Sequence, residues 1–398
     1  MKGDLAIFGG TPVRESKISY GHQYIDNDDI QAVVEVLKSE ALTCGPKIRA
    51  LEEEICKITG AKYAVAVSNG TAALHIAALA AGFGEGDEVI VSSITFAASA
   101  NCIMYAGAKP VFADIKPDTY NIDPDSIEAL INQKTKGIIA VDFTGQAVEI
   151  DAIREICKNH NLVFIEDAAH AMGTKYKRKA VGSIADMTCF SFHPVKTVTS
   201  GEGGAVTTND EALYQKLLLL RSHGITRDRD IMVNKSDDSW YNEQVTLGFN
   251  YRITDFQSAL LISQLKKLSR FSERRKTIVA AYDDAFKDLP EIIVQKEIPE
   301  SETTRHLYIL RLNLERLNCD RRQFFDALYA ENICAQVHYL PVYWHSYYEK
   351  LGYQKGICPN AEKFYMESMS IPLYYSMTDE DVQDVIKAVK KVISYYKK

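Results

Sequence analysis

The stretch from Asn161 to Val206, NLVFIEDAAHAMGTKYKRKAVGSIADMTCFSFHPVKTVTSGEGGAV, constrains the fold more than any other part of the chain. Leu162 to Ile165 is a short apolar run that stops at two carboxylates, Glu166 and Asp167. Such a run suits a strand buried on both faces of a parallel sheet. Met187 to Phe192 is a second run, apolar except for Thr188 and Ser191, and His193-Pro194-Val195 lead from it to Lys196. In open α/β sheets, ligands bind beyond the carboxyl ends of strands. An acid ending one strand and an amine just past another can therefore face into one crevice.

The chain before this stretch supports the same architecture. From Lys62 onward strand and helix alternate, with strands expected at Tyr63 to Val67, Glu88 to Val91, Pro110 to Ala113 and Gly137 to Asp142, and a helix at Asp151 to Asn159. That order predicts a wound, mostly parallel sheet. The first strand runs into Ser68-Asn69-Gly70-Thr71 and then an Ala-rich helix. The start of that helix offers backbone N–H groups to a phosphate, or is simply capped by Ser68 or Asn69. Phe96, just past a strand, can fill the core or stack on a planar ring.

Outside this region the patterns are weaker. LAIFGGTPV begins like a dinucleotide-binding turn but lacks the third glycine and a following helix. Asp28 to Lys38 has helical periodicity with Ile30, Val33, Val34 and Leu37 on one face, and Leu42 to Pro46 reads as a helix stop. A helix at Glu211 to Ser222 precedes a polar insert, Arg227 to Asp238, that reads as a mobile or partner-contacting loop; Thr254 to Leu268 reads as a long amphipathic helix. Helices at Glu273 to Leu289, Arg321 to Glu331 and Asp379 to Tyr396, with strands at His306 to Leu312 and Ala335 to Tyr339, predict a smaller α+β domain. The division expected is residues 1–268, with an N-terminal arm, and 269–398. The aromatic run VHYLPVYWHSYYEKLGY is either an interdomain surface or, through His338, part of a substrate cleft.

A net charge of -7 argues against general affinity for nucleic acid or anionic membranes, so an anionic ligand must be held by local donors. No apolar run reaches membrane-spanning length and the N-terminus lacks a signal-peptide core, which predicts a cytoplasmic protein. The 8 cysteines are scattered without a C-x-x-C pair or paired histidines, and read as reduced thiols rather than a metal site.

The chemistry follows from Asp167 and Lys196. Asp167 alone could be a capping carboxylate, and His170 a satisfied core histidine. Lys196 sits among apolar and aromatic neighbours, where desolvation lowers an amine's pKa. A lysine amine that condenses with an aldehyde, and a carboxylate that keeps a pyridine nitrogen protonated, are what pyridoxal phosphate requires.

SNGTAAL (Ser68 to Leu74), ITFAASAN (Ile94 to Asn101), PVFADI (Pro110 to Ile115), EDAAHAMG (Glu166 to Gly173), FSFHPVK (Phe190 to Lys196), GEGGAV (Gly201 to Val206), RSHG (Arg221 to Gly224) and NYRITDFQSAL (Asn250 to Leu260) occur in order and at spacings that resemble the DegT/DnrJ/EryC1/StrS sugar aminotransferases. LTCGP (Leu42 to Pro46) precedes them. The resemblance implies an aspartate aminotransferase-like α/β fold, fold type I of the pyridoxal phosphate enzymes, with a large mixed, mostly parallel sheet domain. It implies that Gly70, Thr71 and Ser191 hold the cofactor's phosphate, Phe96 covers its ring, Asp167 and His170 lie beside it, and Lys196 is the catalytic amine. Asn250 would complete the phosphate site of a second subunit, giving a homodimer with shared sites; Arg252 and His338 would contact substrate.

The chain has VDFTGQAVEI where most of the family has a His-x-Tyr-Gly-like turn, a departure that bears on substrate. It has lysine where the deoxygenating members carry histidine, which favours transamination. VDFTGQAVEI, SFHPVK, EGGAV, RSHG and AQVHYLPVY resemble the branch that serves pseudaminic acid synthesis. The reaction so implied moves an amino group from glutamate, through pyridoxal and pyridoxamine phosphate, to C4 of a UDP-linked 4-keto-6-deoxy-N-acetylhexosamine. Alternatives are a family member acting on a D-configured UDP-sugar or a dTDP-sugar, a non-catalytic pyridoxal-binding regulator, and a nicotinamide enzyme built on the GG turn.

Overall fold

The computed structural model describes residues 4–234, 236 and 238–398. At its centre is a sheet of β1 (Tyr63–Val67), β2 (Glu88–Ser92), β3 (Lys109–Ala113), β4 (Thr135–Val141), β5 (Val163–Asp167), β6 (Met187–Ser191) and β7 (Gly204–Thr208). Their order is β1-β7-β6-β5-β4-β2-β3. All neighbours are parallel except β7, which runs antiparallel to both β1 and β6. This is the mixed, mostly parallel α/β sheet expected.

The strands are almost wholly buried because helices cover both faces, as a parallel sheet requires. On one face lies α3 (Gly70–Ala80), whose alanines and Ile76 are buried nearly all round, which permits close approach to β6 and β7. On the other lie α2 (Pro46–Thr59) and α6 (Ile150–His160), which bury Leu51, Ile55, Ile150 and Ile153.

Gly204, where β7 begins, has no room for a side chain. A Cβ there would lie 2.4 Å from the Asn69 carbonyl oxygen and 2.8 Å from the Gly70 nitrogen. The glycine-rich segment thus ends in a strand packed against the entry to α3.

Several local expectations change in three dimensions. Leu42 to Pro46 starts a helix rather than stopping one: Gly45 caps α2, and the Asp255 carboxylate accepts from the amides of Gly45 at 2.8 Å and Lys47 at 2.9 Å. The apolar face of α1 (Asn27–Leu37) does not meet the core of its own chain. Ile30 is 49% and Leu37 56% exposed, while Asp29 is buried against Gln264 and Lys267. That polar cluster fixes the rotation of α1 on α8 (Asp255–Leu265). The single helix expected from Thr254 to Leu268 breaks at Lys266 and Lys267, and α9 (Leu268–Phe286) follows. The insert Arg227 to Asp238 is a mostly exposed loop over its described residues, with Met232 buried; Lys235 and Asp237 lie outside them.

In the C-terminal part, Ala335 to Tyr339 is not a strand and makes one isolated bridge, Gln336 to Ser370. A three-stranded antiparallel sheet instead joins β8 (Ile292–Ile293), β9 (Tyr308–Leu312) and β10 (Ser368–Ile371). The polar serines of β10 hide it from a hydrophobicity reading, yet all of its residues are buried. The terminal helix, Asp379–Tyr396, has the expected bounds and begins in a capping box formed by Thr378 and Asp381.

The N-terminal arm, expected with the larger domain, packs Leu5 and Ile18 into the C-terminal core. Its GG turn is no nucleotide site: Ala6–Phe8 is one short turn, and Glu331 accepts from the amides of Ala6 and Val13. Helix α9 contributes Leu268 and Phe271 to one core and Ile278, Val279, Tyr282 and Phe286 to the other.

Because the neighbours of Gly204 are backbone, Gly204→Ala forces a strand or the start of α3 to move. We predict a loss of about 1–3 kcal/mol in urea unfolding; an unchanged midpoint would contradict this packing.

Candidate active site

The carboxyl ends of β1, β5 and β6 open onto a cavity of about 760 Å³. Asp167 ends β5 and projects into it. Its Oδ2 accepts from Ser99 Oγ at 2.6 Å, and its Oδ1 from the Ala169 amide at 3.1 Å. Burial raises the pKa of this carboxyl, opposed by those donors and by the charge of Lys196.

Lys196 lies past β6 in a loop that folds back on itself. Phe192 bonds through its amide to the Gly203 carbonyl at 2.9 Å, and its own carbonyl accepts from the Ser200 amide at 3.0 Å. The lysine retains some accessible surface because it lines the cavity. Its amine is nevertheless desolvated, which lowers its pKa to about 8 against the opposing pull of Asp167. The structure thus brings the acid and the amine into one crevice.

A third corner forms where β1 turns into α3. Asn69 Oδ1 accepts from the Ala72 amide at 2.8 Å, so Asn69 is the N-cap. This leaves the Gly70 and Thr71 amides outside the helical ladder, directed with the positive end of the helix dipole toward the cavity. Ser191 approaches so closely that a Cβ on Gly70 would lie 2.8 Å from its Cβ. Asn69 caps the helix, as one reading of the sequence has it, and the cap leaves free the two amides on which the phosphate reading rests.

Phe96 is 62% exposed at the mouth, with its ring centroid 6.2 Å from that of Tyr339. Core filling is therefore not its role. His170 is buried, but it is not a fully satisfied core histidine: Nε2 lies 3.3 Å from the Tyr339 hydroxyl, while Nδ1 has no partner. Burial and the nearby Lys196 charge hold its pKa well below the ordinary value. His338 lines the cavity with Nδ1 2.8 Å from Ser370 Oγ, and burial lowers its pKa to about 4.

The remaining two candidates stand apart. Asn250 is exposed and bridges to Ser222, and Arg252 is partly buried; neither lines this chain's cavity, although Tyr251 between them does. Tyr251 also accepts at its carbonyl from the Ser68 amide at 2.8 Å, which ties their loop to the β1 corner.

Sequence reasoning missed Ser99, Tyr20 and His306. His306 is buried with its ring centroid 4.5 Å from that of His170. A histidine at the start of the apolar HLYIL was its one available signal. Tyr20 enters from the N-terminal arm, whose path no local pattern reveals.

The residues fit pyridoxal phosphate. A close glycine cradle offers unused amides, a buried carboxylate lies at a strand end, a desolvated amine shares its cavity, and the unpartnered His170 nitrogen leaves a polar contact to be made. The model of the DegT/DnrJ/EryC1/StrS aminotransferase family matches residues 23–390. The chain belongs to this family.

It is 41% identical to the UDP-4-amino-4,6-dideoxy-N-acetyl-beta-L-altrosamine transaminase of Campylobacter jejuni serotype O:23/36, over 96% of this chain and 99% of that one. Among solved structures it is similar to Helicobacter pylori PseC, an aminotransferase involved in pseudaminic acid biosynthesis. The TM-score is 0.88 at 35% identity, covering 95% and 99% of the two chains. Spr1654 of Streptococcus pneumoniae, in its PMP form, gives a TM-score of 0.88 at 32% identity, covering 94% and 97%. These similarities identify an aminotransferase with the sheet architecture read from the sequence.

A desolvated amine differs from a solvated one in its titration. In cofactor-free protein, acylation of Lys196, followed by peptide mass spectrometry, should reach half its maximal rate near pH about 8. Ordinary solvated lysines continue to gain reactivity up to about pH 10. A Lys196 midpoint in that higher range would remove the argument from desolvation.

Proposed function

We propose that this protein is a pyridoxal-phosphate-dependent aminotransferase that transfers an amino group from glutamate to C4 of a UDP-linked 4-keto-6-deoxy-N-acetylhexosamine. It would act as a cytoplasmic homodimer, in the step of pseudaminic acid synthesis that yields UDP-4-amino-4,6-dideoxy-N-acetyl-β-L-altrosamine. The observation that carries the cofactor reading is the meeting of Lys196 and Asp167 in one desolvated cavity beside the free amides of Gly70 and Thr71. The sugar rests on similarity to the Campylobacter transaminase and to PseC.

Bound here, the cofactor supplies an electrophilic aldehyde carbon and a cationic ring that accepts electron density. Gly70, Thr71 and Ser191 are assigned to its phosphate. Asp167, oriented by Ser99 and Ala169, is assigned to the ring nitrogen. Lys196 would take the proton from the donor's Cα and, in the return half of the exchange, would deliver one to C4 of the acceptor sugar. A pKa near 8 suits an amine that must both take and give a proton close to neutral pH. Phe96 and Tyr339 at the mouth limit the access of water, and burial keeps His170 and His338 neutral beside the amine.

The dimer reading is supported by two surfaces that lack partners within this chain's cavity and core. Ile30 and Leu37 face outward from α1, and Asn250 lies outside its own chain's site. Among the described residues no helix is long and apolar enough to cross a membrane.

The protein incubated with glutamate and either the L-arabino or the D-xylo 4-keto UDP-sugar should aminate the L-arabino ketone. Reaction with only D-xylo or dTDP-linked ketones would overturn the sugar assignment and leave the family assignment standing. Lys196→Ala should lower turnover by about 10²–10⁴-fold. Borohydride should erase the visible absorption of the loaded wild type and leave its modification on the Lys196 peptide.

A further inference from the structure

Asp167 does not end in a simple contact. Ser99 Oγ, on α4 (Ala98–Tyr105), lies 2.6 Å from Asp167 Oδ2 and 2.7 Å from Thr95 Oγ1. All three residues are buried. Ser99 has one hydroxyl proton and two oxygens in reach besides that of Thr95: Asp167 Oδ2 and, at 3.4 Å, the Phe96 carbonyl. The shorter bond to the carboxylate claims the proton, because a charged acceptor makes the stronger bond. Thr95 must then donate to Ser99, since Ser99 has no second proton to give. Direction is thereby fixed along the chain Thr95, Ser99, Asp167.

We propose that Thr95 and Ser99 form a directed hydroxyl relay that holds Asp167 as an oriented anion, with Ser99 the positioning residue for the carboxylate. The relay also ties Asp167 to the cavity mouth. Thr95 precedes Phe96, and the Phe96 carbonyl accepts from the Ser99 amide at 3.2 Å. One short segment therefore carries both the aromatic lip and the groups that set the acid. The effect on cofactor retention rests on the function proposed above; the relay itself does not.

The test uses the full-length chain and compares wild type, Ser99→Ala, Thr95→Val and the double variant, with Asp167→Asn as a second background. Ser99 stabilises Asp167 more strongly when Asp167 is ionised, because a charged acceptor makes the stronger bond, so losing Ser99 raises the folded pKa of Asp167. The stability gap between wild type and Ser99→Ala is smallest where Asp167 is protonated. It opens as pH rises through the titration of Asp167. Other ionisable groups that face this carboxyl are Lys196 on the loop after β6, Cys189 on β6, Cys102 on α4, Tyr339, and Asp142 beyond the end of β4. None is altered in these variants, so comparison at equal pH isolates Ser99.

In cofactor-free protein, the melting-temperature deficit of Ser99→Ala should at least double between pH about 4.5 and about 7.5, and should lose that pH dependence in the Asp167→Asn background. With cofactor, Ser99→Ala should weaken pyridoxal phosphate retention about tenfold and Thr95→Val about threefold, while the double variant matches Ser99→Ala alone. A deficit equal at both pH values, as a mere packing defect would give, overturns the relay. So do Thr95 and Ser99 effects that multiply independently. Should wild type take up no cofactor, the functional reading falls, and the melting series still decides the relay.

Discussion

Two opposite charges set into one desolvated cavity govern the rest of this structure. Burial presses Lys196 and Asp167 toward their neutral forms from opposite directions, and each charge partly counters the effect on the other. Neither side chain could occupy the interior of a sheet at such depth without help. The help consists of local dipoles. Ser99 and the Ala169 amide donate to the carboxylate, and the closed loop from Phe192 to Gly203 holds the lysine at the strand end. The pair is tuned by its surroundings to be ionisable, which is a reactive condition rather than a stabilising one.

Sheet topology delivers those surroundings. Because β7 runs antiparallel between β1 and β6, its first residue, Gly204, lies beside Val67 and Ser191, the last residues of its neighbours. The amino end of one strand thus meets the carboxyl ends of two others. A side chain at Gly204 would collide with Asn69, and one at Gly70 with Ser191. The absence of Cβ atoms at these two positions sets the distance between the helix amides, the serine hydroxyl and the lysine loop. In this sheet the meeting of the α3 entry with Ser191 is a consequence of strand order.

What was legible in the sequence follows from what is local. Strand β1 and the terminal helix have the bounds their patterns predict, since each buries a regular apolar face and the helix carries its own capping box. Asp167 and Lys196 were legible because a change from apolar to polar marks a strand's end. Ser99 was not: within ASAN it is a small residue on a helix, and only the placing of the first turn of α4 beside the end of β5 brings it to the carboxylate. The apolar face of α1 has the right periodicity but the wrong destination, because buried Asp29 and its partners Lys267 and Gln264 decide the helix's rotation. The segment 335–339 looked extended and β-prone, while the serine-containing β10 took its place in the sheet.

The cavity is lined from both sides of the division between the cores. Gly70, Asp167, Ser191 and Lys196 stand on the large sheet or its immediate loops, whereas Tyr20, His306 and His338 come from the arm and the C-terminal part. These two sets are joined by α9, one helix with its first turns in one core and its later turns in the other. Buried Arg275 on that helix donates to the carbonyls of His306 at 3.1 Å and Leu373 at 2.8 Å, fixing two C-terminal segments to one side chain. A continuous helix transmits position more stiffly than a loop does. Tyr20, His306 and His338 are therefore held in fixed registry with Lys196 by packing that runs through one helix rather than by loop contacts alone.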